Sequence, residues 1–417
     1  MATSSSPSTK TSLSVFVKLS VMMFLLFFVW GAWMVTLGSY MTERGMSGTA
    51  LGWAYSVGPI AAIITPFFIG FLADRFFNAE KLQGGLLIAS GLFMLAAPQF
   101  SSPEQSFTFV LCLLGHTLCY MPTLGLSNAI CLKHLADAEK EYSRVRVFAT
   151  LGWVVAGLVV SFVFHGEKND TIFYLSGVMA IIVGGYSFSL PATPPSESTA
   201  KLDFRQFLGM DTWKYFRTLS FTVFMFGSLL ACIAFYPYWP LASPFIENVG
   251  IQRTAATLSL AQISELFVLA FVLPLALKKW GIKITLLLGV ASWILRYLLF
   301  AYATMNEATA IPSVILAIIL HGFAYDFVFV SGYLYVDKFV RDGVRAQAQS
   351  LLVVFTQGIG FLLGSQILVG MVHTQMTTDG SLQSWGNYWL VPMVYLCILF
   401  VILALFFKDR GETADVT

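Results

Sequence analysis

Twelve apolar runs, each near 20 residues and so long enough to cross a bilayer as a helix, dominate this chain and leave it few folds. They centre on 14–39, 51–72, 83–98, 107–132, 146–165, 171–190, 219–242, 255–277, 284–303, 311–336, 346–371 and 387–407. In hydrocarbon a backbone must satisfy its own amides, which permits helices or a closed barrel. A barrel needs short alternating segments, and these runs do not alternate. The 417 residues are 57% hydrophobic and 11% charged, where a soluble protein carries about 25% charge. The solvent for most of the chain is therefore lipid. Net charge is +2 and no basic cluster with interleaved aromatics occurs, so nucleic acid is not an expected partner. There is no phosphate-binding glycine loop, no H-E-x-x-H and no G-x-S-x-G after a strand, which argues against an enzyme. Cys112, Cys119, Cys131, Cys232 and Cys397 all lie in apolar runs without disulfide or metal-ligand spacing and read as small core residues. No metal site is expected.

Lysine and arginine set the orientation. With both termini in the cytoplasm, of 24 Lys and Arg only Arg44, Lys168 and Arg253 fall outside, while Arg146 and Arg296 sit at or within helices. That bias needs an even helix count. Residues 1–13, rich in Ser and Thr, form a disordered cytoplasmic N-terminus. The run after them is too long for a signal-peptide core and no A-x-A site follows, so it stays as the first helix. The longest polar interruption, 191–217, links two six-helix halves, 14–190 and 218–408, and 409–417 is a cytoplasmic tail. Within the linker, the amphipathic stretch Leu202 to Phe207 predicts a short helix on the membrane surface.

The halves resemble each other. His116-Thr117-Leu118-Cys119-Tyr120 in the fourth run answers His321-Gly322-Phe323-Ala324-Tyr325 in the tenth, and Val145-Arg146 answers Val344-Arg345. A duplicated helical unit around a central site is a transporter signature. Ionisable residues inside such a chain are expensive, which makes each a candidate functional residue. Asp326, Glu265, His321 and Arg296 are the deepest. Gln262 and Glu265 are three apart and share a helix face, where an amide and a carboxylate can hold sugar hydroxyls. His321 and Tyr325 are four apart and project together toward a cavity, whereas Asp326 points about 100° away. Asp326 is therefore expected at the cavity edge or against a neighbouring helix, paired with Arg296. The bland alternative for His321 is a core histidine bonded to a carbonyl. Trp153, Phe235, Tyr238, Trp239 and Tyr325 offer faces on which a planar base could stack. Pro122, Pro237, Pro240 and Pro274 can kink their helices.

Gly70-Phe71-Leu72-Ala73-Asp74-Arg75 resembles the loop between helices two and three of the major facilitator superfamily. Trp30 to Tyr40, Tyr120 to Leu126, Gln262 to Glu265, Ala291 to Arg296 and Ala324 to Phe327 together resemble the nucleoside:proton symporter family within that superfamily, across about 18 to 408. The resemblance implies an all-α membrane protein of twelve transmembrane helices in two pseudo-symmetric six-helix bundles. It implies proton-coupled nucleoside import, with other small polar solutes such as a sugar or a nucleobase as the alternative. It places Arg146, Thr150 and Trp153 in the substrate site, although a flanking arginine that snorkels reads equally well for Arg146. Gly70, Asp74 and Arg75 would gate the cytoplasmic face. Glu265 and Asp326 are the candidate proton carriers. The proton gradient would be the energy source, with no cofactor, in a monomer of the bacterial inner membrane. The chain departs from the family at Phe235 and Tyr238, where characterised members carry amides.

Overall fold

The computed structural model describes residues 11–46, 48–75, 77–195, 210–341 and 344–409, with side chains for all of these except 66–75, 139 and 346. The stretch 202–207 and the side chains around Gly70, Asp74 and Arg75 lie outside the described residues. The chain is helical, with no strand among the described residues. It crosses back and forth twelve times, because the long apolar stretch 254–303 turns back on itself and Thr49–Thr65 and Thr171–Ser187 add two shorter crossings.

In the first half, α1 has two pieces (Leu13–Gly31 and Leu37–Glu43), followed by α2 (Thr49–Arg75), α3 (Ala79–Ala96), α4 (Ser106–His134), α5 (Ala138–Leu158, continued as a π-helical end, Val159–Phe164) and α6 (Thr171–Ser187). A 3-10 turn, Met210–Arg217, opens the second half. There α7 is again in two pieces (Leu219–Phe235 and Tyr238–Asn248), then come α8 (254–280) and α9 (282–303). The two-piece α10 (Glu307–Ile319 and His321–Phe339), α11 (345–376, largely π-helical) and α12 (Leu382–Phe406) complete it. The turn between α8 and α9 is made by Gly281 at φ 76°, a conformation that a side chain would strain.

The halves repeat one packing scheme. In the first, α1 lies on α5 and α6, α3 on α4 and α6, and α2 on α4. In the second, α7 lies on α11 and α12, α9 on α10 and α12, and α8 on α10. The interruptions repeat as well. Helix α1 is broken after Gly31 and α7 at Tyr236-Pro237, where proline removes a helical hydrogen bond. Broken helices of this kind line binding sites in transporters.

In lipid the hydrophobic effect does not drive one helix onto another, so packing and interhelical hydrogen bonds must. Between described residues, the hydrogen bonds that join the two bundles run from mid-depth to the end remote from the chain termini. Ser39 and Ser243, on the second pieces of α1 and α7, meet at 2.8 Å. Ser365 donates to the Gly52 carbonyl at 2.6 Å, Gln366 to Ser56 at 2.7 Å, and Arg253 to the Ser161 carbonyl at 2.7 Å. Tyr236 donates to the carbonyl of Tyr55. Each such bond contributes roughly 0.6 kcal/mol in a membrane protein, so the seal is a sum of small terms. It needs close approach: a Cβ added at Gly38 would stand 2.1 Å from the Pro240 carbonyl oxygen. At the rim, Lys168 of the α5–α6 loop holds Glu43 of α1 at 3.1 Å and also Glu247 of α7, tying the bundles by charge. Of the cysteines, Cys131 and Cys232 are core, Cys112 and Cys119 are partly buried, and Cys397 lies on the exposed face of α12, against the expectation that all five are core.

Candidate functional site

A cavity of about 250 Å³ lies between the bundles below this seal. The α1 break contributes Trp30 and Trp33, and α5 contributes Arg146, Thr150 and Trp153. Across from them stand Gln262 and Glu265 of α8 and His321 and Tyr325 of α10. Seven of the residues singled out in the sequence therefore share one wall-to-wall space. Their spacings explain it: positions three or four apart on a helix present one face, and each of these sets turns that face inward.

The acid end of the cavity is held by a cross-helix lock. The hydroxyl of Ser264, the residue before Glu265, donates to the Ile319 carbonyl and accepts from the Gly322 amide at 3.3 Å. It thereby satisfies backbone groups freed by the break in α10 and brings the second piece of that helix against α8. His321 opens this piece, so its Nε2 comes to 3.9 Å from Glu265 Oε2, too far for a direct hydrogen bond. The Glu265 side chain keeps 25% exposure where that of His321 keeps 3%, so the carboxylate is the more open of the two cavity-lining groups. On the facing wall, the Arg146 guanidinium lies 4.3 Å from the centre of the Phe27 ring, a cation–π contact, and Phe27 also lines the cavity. Arg146 thus points into the space and does not snorkel to the rim.

Aromatic rings form the rest. Trp30 meets Trp153 edge to face at 5.3 Å, and Trp239 packs on Phe361 at 5.2 Å and on Tyr325 at 6.5 Å. The indole nitrogens of Trp30 and Trp33 are buried donors without a partner. Tyr55, Tyr236 and Gln357 also line the cavity and carried no signal strong enough to single out. Gln357, an amide in a glycine-containing apolar run, was the most readable of them; it donates to the Tyr333 hydroxyl at 3.0 Å.

Phe235 and Tyr238 are not brought to the wall. They flank the α7 break, which turns Tyr236 and Trp239 inward in their place. Phe235 is fully buried and stacks on Trp293 at 4.4 Å, and Tyr238 lies behind His321 with ring centroids 5.3 Å apart. The expected pairing of Asp326 with Arg296 does not form. Arg296 donates instead to the Ala317 carbonyl and to His321, each at 3.1 Å, while Asp326 is 2% exposed and its Oδ2 has no partner. The reason is angular: Asp326 is one residue beyond Tyr325, about 100° around the helix from the face that His321 turns to Arg296.

Two duplicated helical bundles closing on one cavity, aromatic in its walls and set with a few polar groups, define a secondary transporter, not an enzyme. The chain belongs to the nucleoside H+ symporter family, whose model matches residues 13–412. It is 35% identical over 406 residues to YegT of Escherichia coli (strain K12), covering 95% of this chain and 94% of that one. It is 32% identical over 421 residues to the xanthosine permease of the same organism, covering 97% and 98%. The fold matches the crystal structure of the nucleoside transporter NupG with a TM-score of 0.85 at 28% identity, covering 95% of this chain and 100% of that one. A D-xylose–proton symporter, at 15% identity and a TM-score of 0.69, shares the fold alone. The all-helical major facilitator architecture that the resemblance implied is the one observed.

Proposed function

We propose that this protein is a proton-coupled nucleoside importer that works by alternating access, as a monomer in the bacterial inner membrane with both termini in the cytoplasm. The observation that carries this reading is the convergence of Arg146, Thr150, Trp153, Gln262, Glu265, His321 and Tyr325 on one cavity beneath a seal at the end remote from the termini. With the termini inside, that seal faces outward, so the site here is closed to the exterior.

In this reading Gln262 and Glu265 hold the ribose hydroxyls. The indoles of Trp30, Trp153 and Trp239 and the ring of Tyr325 cover the faces of the base. Arg146 and His321 donate to its carbonyl and ring-nitrogen acceptors. Glu265 and Asp326 carry the proton. An unpaired acid at the middle of a membrane helix costs roughly 2.5–3.5 kcal/mol, and protonation removes that charge before the loaded bundles rock. The gradient of protons supplies the energy, with no cofactor. Gly70, Asp74 and Arg75 would close the cytoplasmic side as the Lys168 clamp opens the outer one. The test is uptake of labelled uridine by vesicles holding the protein, with and without an imposed pH gradient. Accumulation only with the gradient, competed by adenosine and not by ribose or free uracil, is expected; gradient-independent equilibration would sink the symport reading.

A further inference from the structure

Arg296 is not among the cavity-lining residues, yet it is the most enclosed charge among the described residues. Its residue exposure is 0%. Its guanidinium carbon lies 4.2 Å from the centre of the Tyr238 ring and 4.3 Å from that of Trp293. No carboxylate among the described residues pairs with it, and its Nη1 has no hydrogen-bond partner. Asp326, five residues along from His321, points away around its helix and keeps Oδ2 unpartnered. Arg296 spends its Nη2 on Nδ1 of His321, at 3.1 Å.

That contact decides a proton. A guanidinium has donors and no acceptor, so the imidazole Nδ1 must be the acceptor and the ring hydrogen must sit on Nε2. Nε2 is the nitrogen turned toward Glu265. The corresponding histidine of the first half has no such cation: His116 Nδ1 lies 2.8 Å from the Ser90 hydroxyl and 3.1 Å from the Ser90 carbonyl, partners that allow the hydrogen on either ring nitrogen. Its Nε2 is buried without a partner.

We propose that Arg296 is a positioning residue for solute binding. By holding His321 in the Nε2–H form, it makes that histidine a donor toward the cavity and selects solutes that offer an acceptor there, a carbonyl oxygen or ring nitrogen of a nucleobase. This rests on the nucleoside reading above for the identity of the solute, but not for the form of the ring.

Two measurements on the full-length protein test it. In ¹⁵N-histidine-labelled protein in lipid nanodiscs, the His321 signal, assigned by its loss in His321→Gln, reports Nε2–H. For labelled uridine, Arg296→Met raises KM about tenfold with little change in the maximal rate, the effect of removing one charge-assisted hydrogen bond. Arg296→Lys, which keeps a donor-only cation, holds KM within about threefold of wild type. A wild-type His321 protonated on Nδ1 overturns the proposal whether or not any variant folds. So does an Arg296→Met protein that loses maximal rate at unchanged KM, the mark of a merely structural arginine. A wild type that takes up no uridine overturns the nucleoside reading, while the ring signal still decides the role of Arg296.

Discussion

On α4, His116 and Tyr120 stack with ring centroids 5.5 Å apart and planes at 13°; on α10, His321 and Tyr325 stack at 5.5 Å and 15°. The two pairs occupy equivalent helices of the two bundles and have nearly the same internal geometry. Their partners differ. His116 faces Ser90 of α3 at 2.8 Å, and His321 faces Arg296 of α9 at 3.1 Å. Tyr120 closes onto the backbone, donating to the Leu26 carbonyl at 2.7 Å, whereas Tyr325 lines the cavity. The same local pattern is therefore closed packing in one half and cavity lining in the other. At the seal remote from the termini the halves are alike, with Ser39 and Ser243 meeting as matched hydroxyls. The repeat is symmetrical there and diverges at the cavity wall.

The asymmetry can be broken first at its charged end. Glu265→Gln removes the one carboxylate among the cavity-lining residues described and is expected to reduce concentrative uptake to background while leaving uridine exchange across the membrane; full accumulation by this variant and by Asp326→Asn would remove the proton role from the second half. A smaller effect sharpens the contrast between the histidines. His321→Ala should raise the KM for uridine about tenfold, the loss of one donor to the solute. His116→Ala should leave KM within about twofold and show up as lost thermal stability, on the order of 1–3 kcal/mol for a buried residue. Equal KM changes in the two variants would mean the pairs are functionally equivalent. The smallest effect belongs to the rim. Lys168→Gln frees Glu43 and Glu247, and because these side chains are 42%, 54% and 26% exposed the clamp is weak. Thiol labelling at Ser243→Cys from outside should rise by about two- to fivefold, and no rise would mean that hydroxyl and backbone contacts alone hold the seal.

The amphipathic spacings in α5, α8 and α10 were legible because a helix converts a difference of three or four residues into a shared face. They put Gln262 with Glu265 and His321 with Tyr325 on shared faces, the family resemblance put Arg146, Thr150 and Trp153 in the site, and all seven line the cavity. Phe235 and Tyr238, singled out as aromatic faces at the family's amide positions, misled because the break at Tyr236-Pro237 turns Tyr236 and Trp239 to the cavity instead. Arg296 and Asp326 misled because two unpaired charges at similar depth invite pairing on paper, whereas direction around each helix decides whether they can meet.

Taken alone, the sequence determined the solvent, the number of crossings and the duplicated plan. Each follows from the length and polarity of local runs, and lipid leaves a backbone one way to satisfy itself. Tertiary structure decided which end is sealed, which aromatics reach the cavity and which nitrogen of His321 carries the hydrogen. Those depend on contacts between helices far apart in the chain, and no local rule of spacing encodes the angle at which two helices cross or the phase lost at a break.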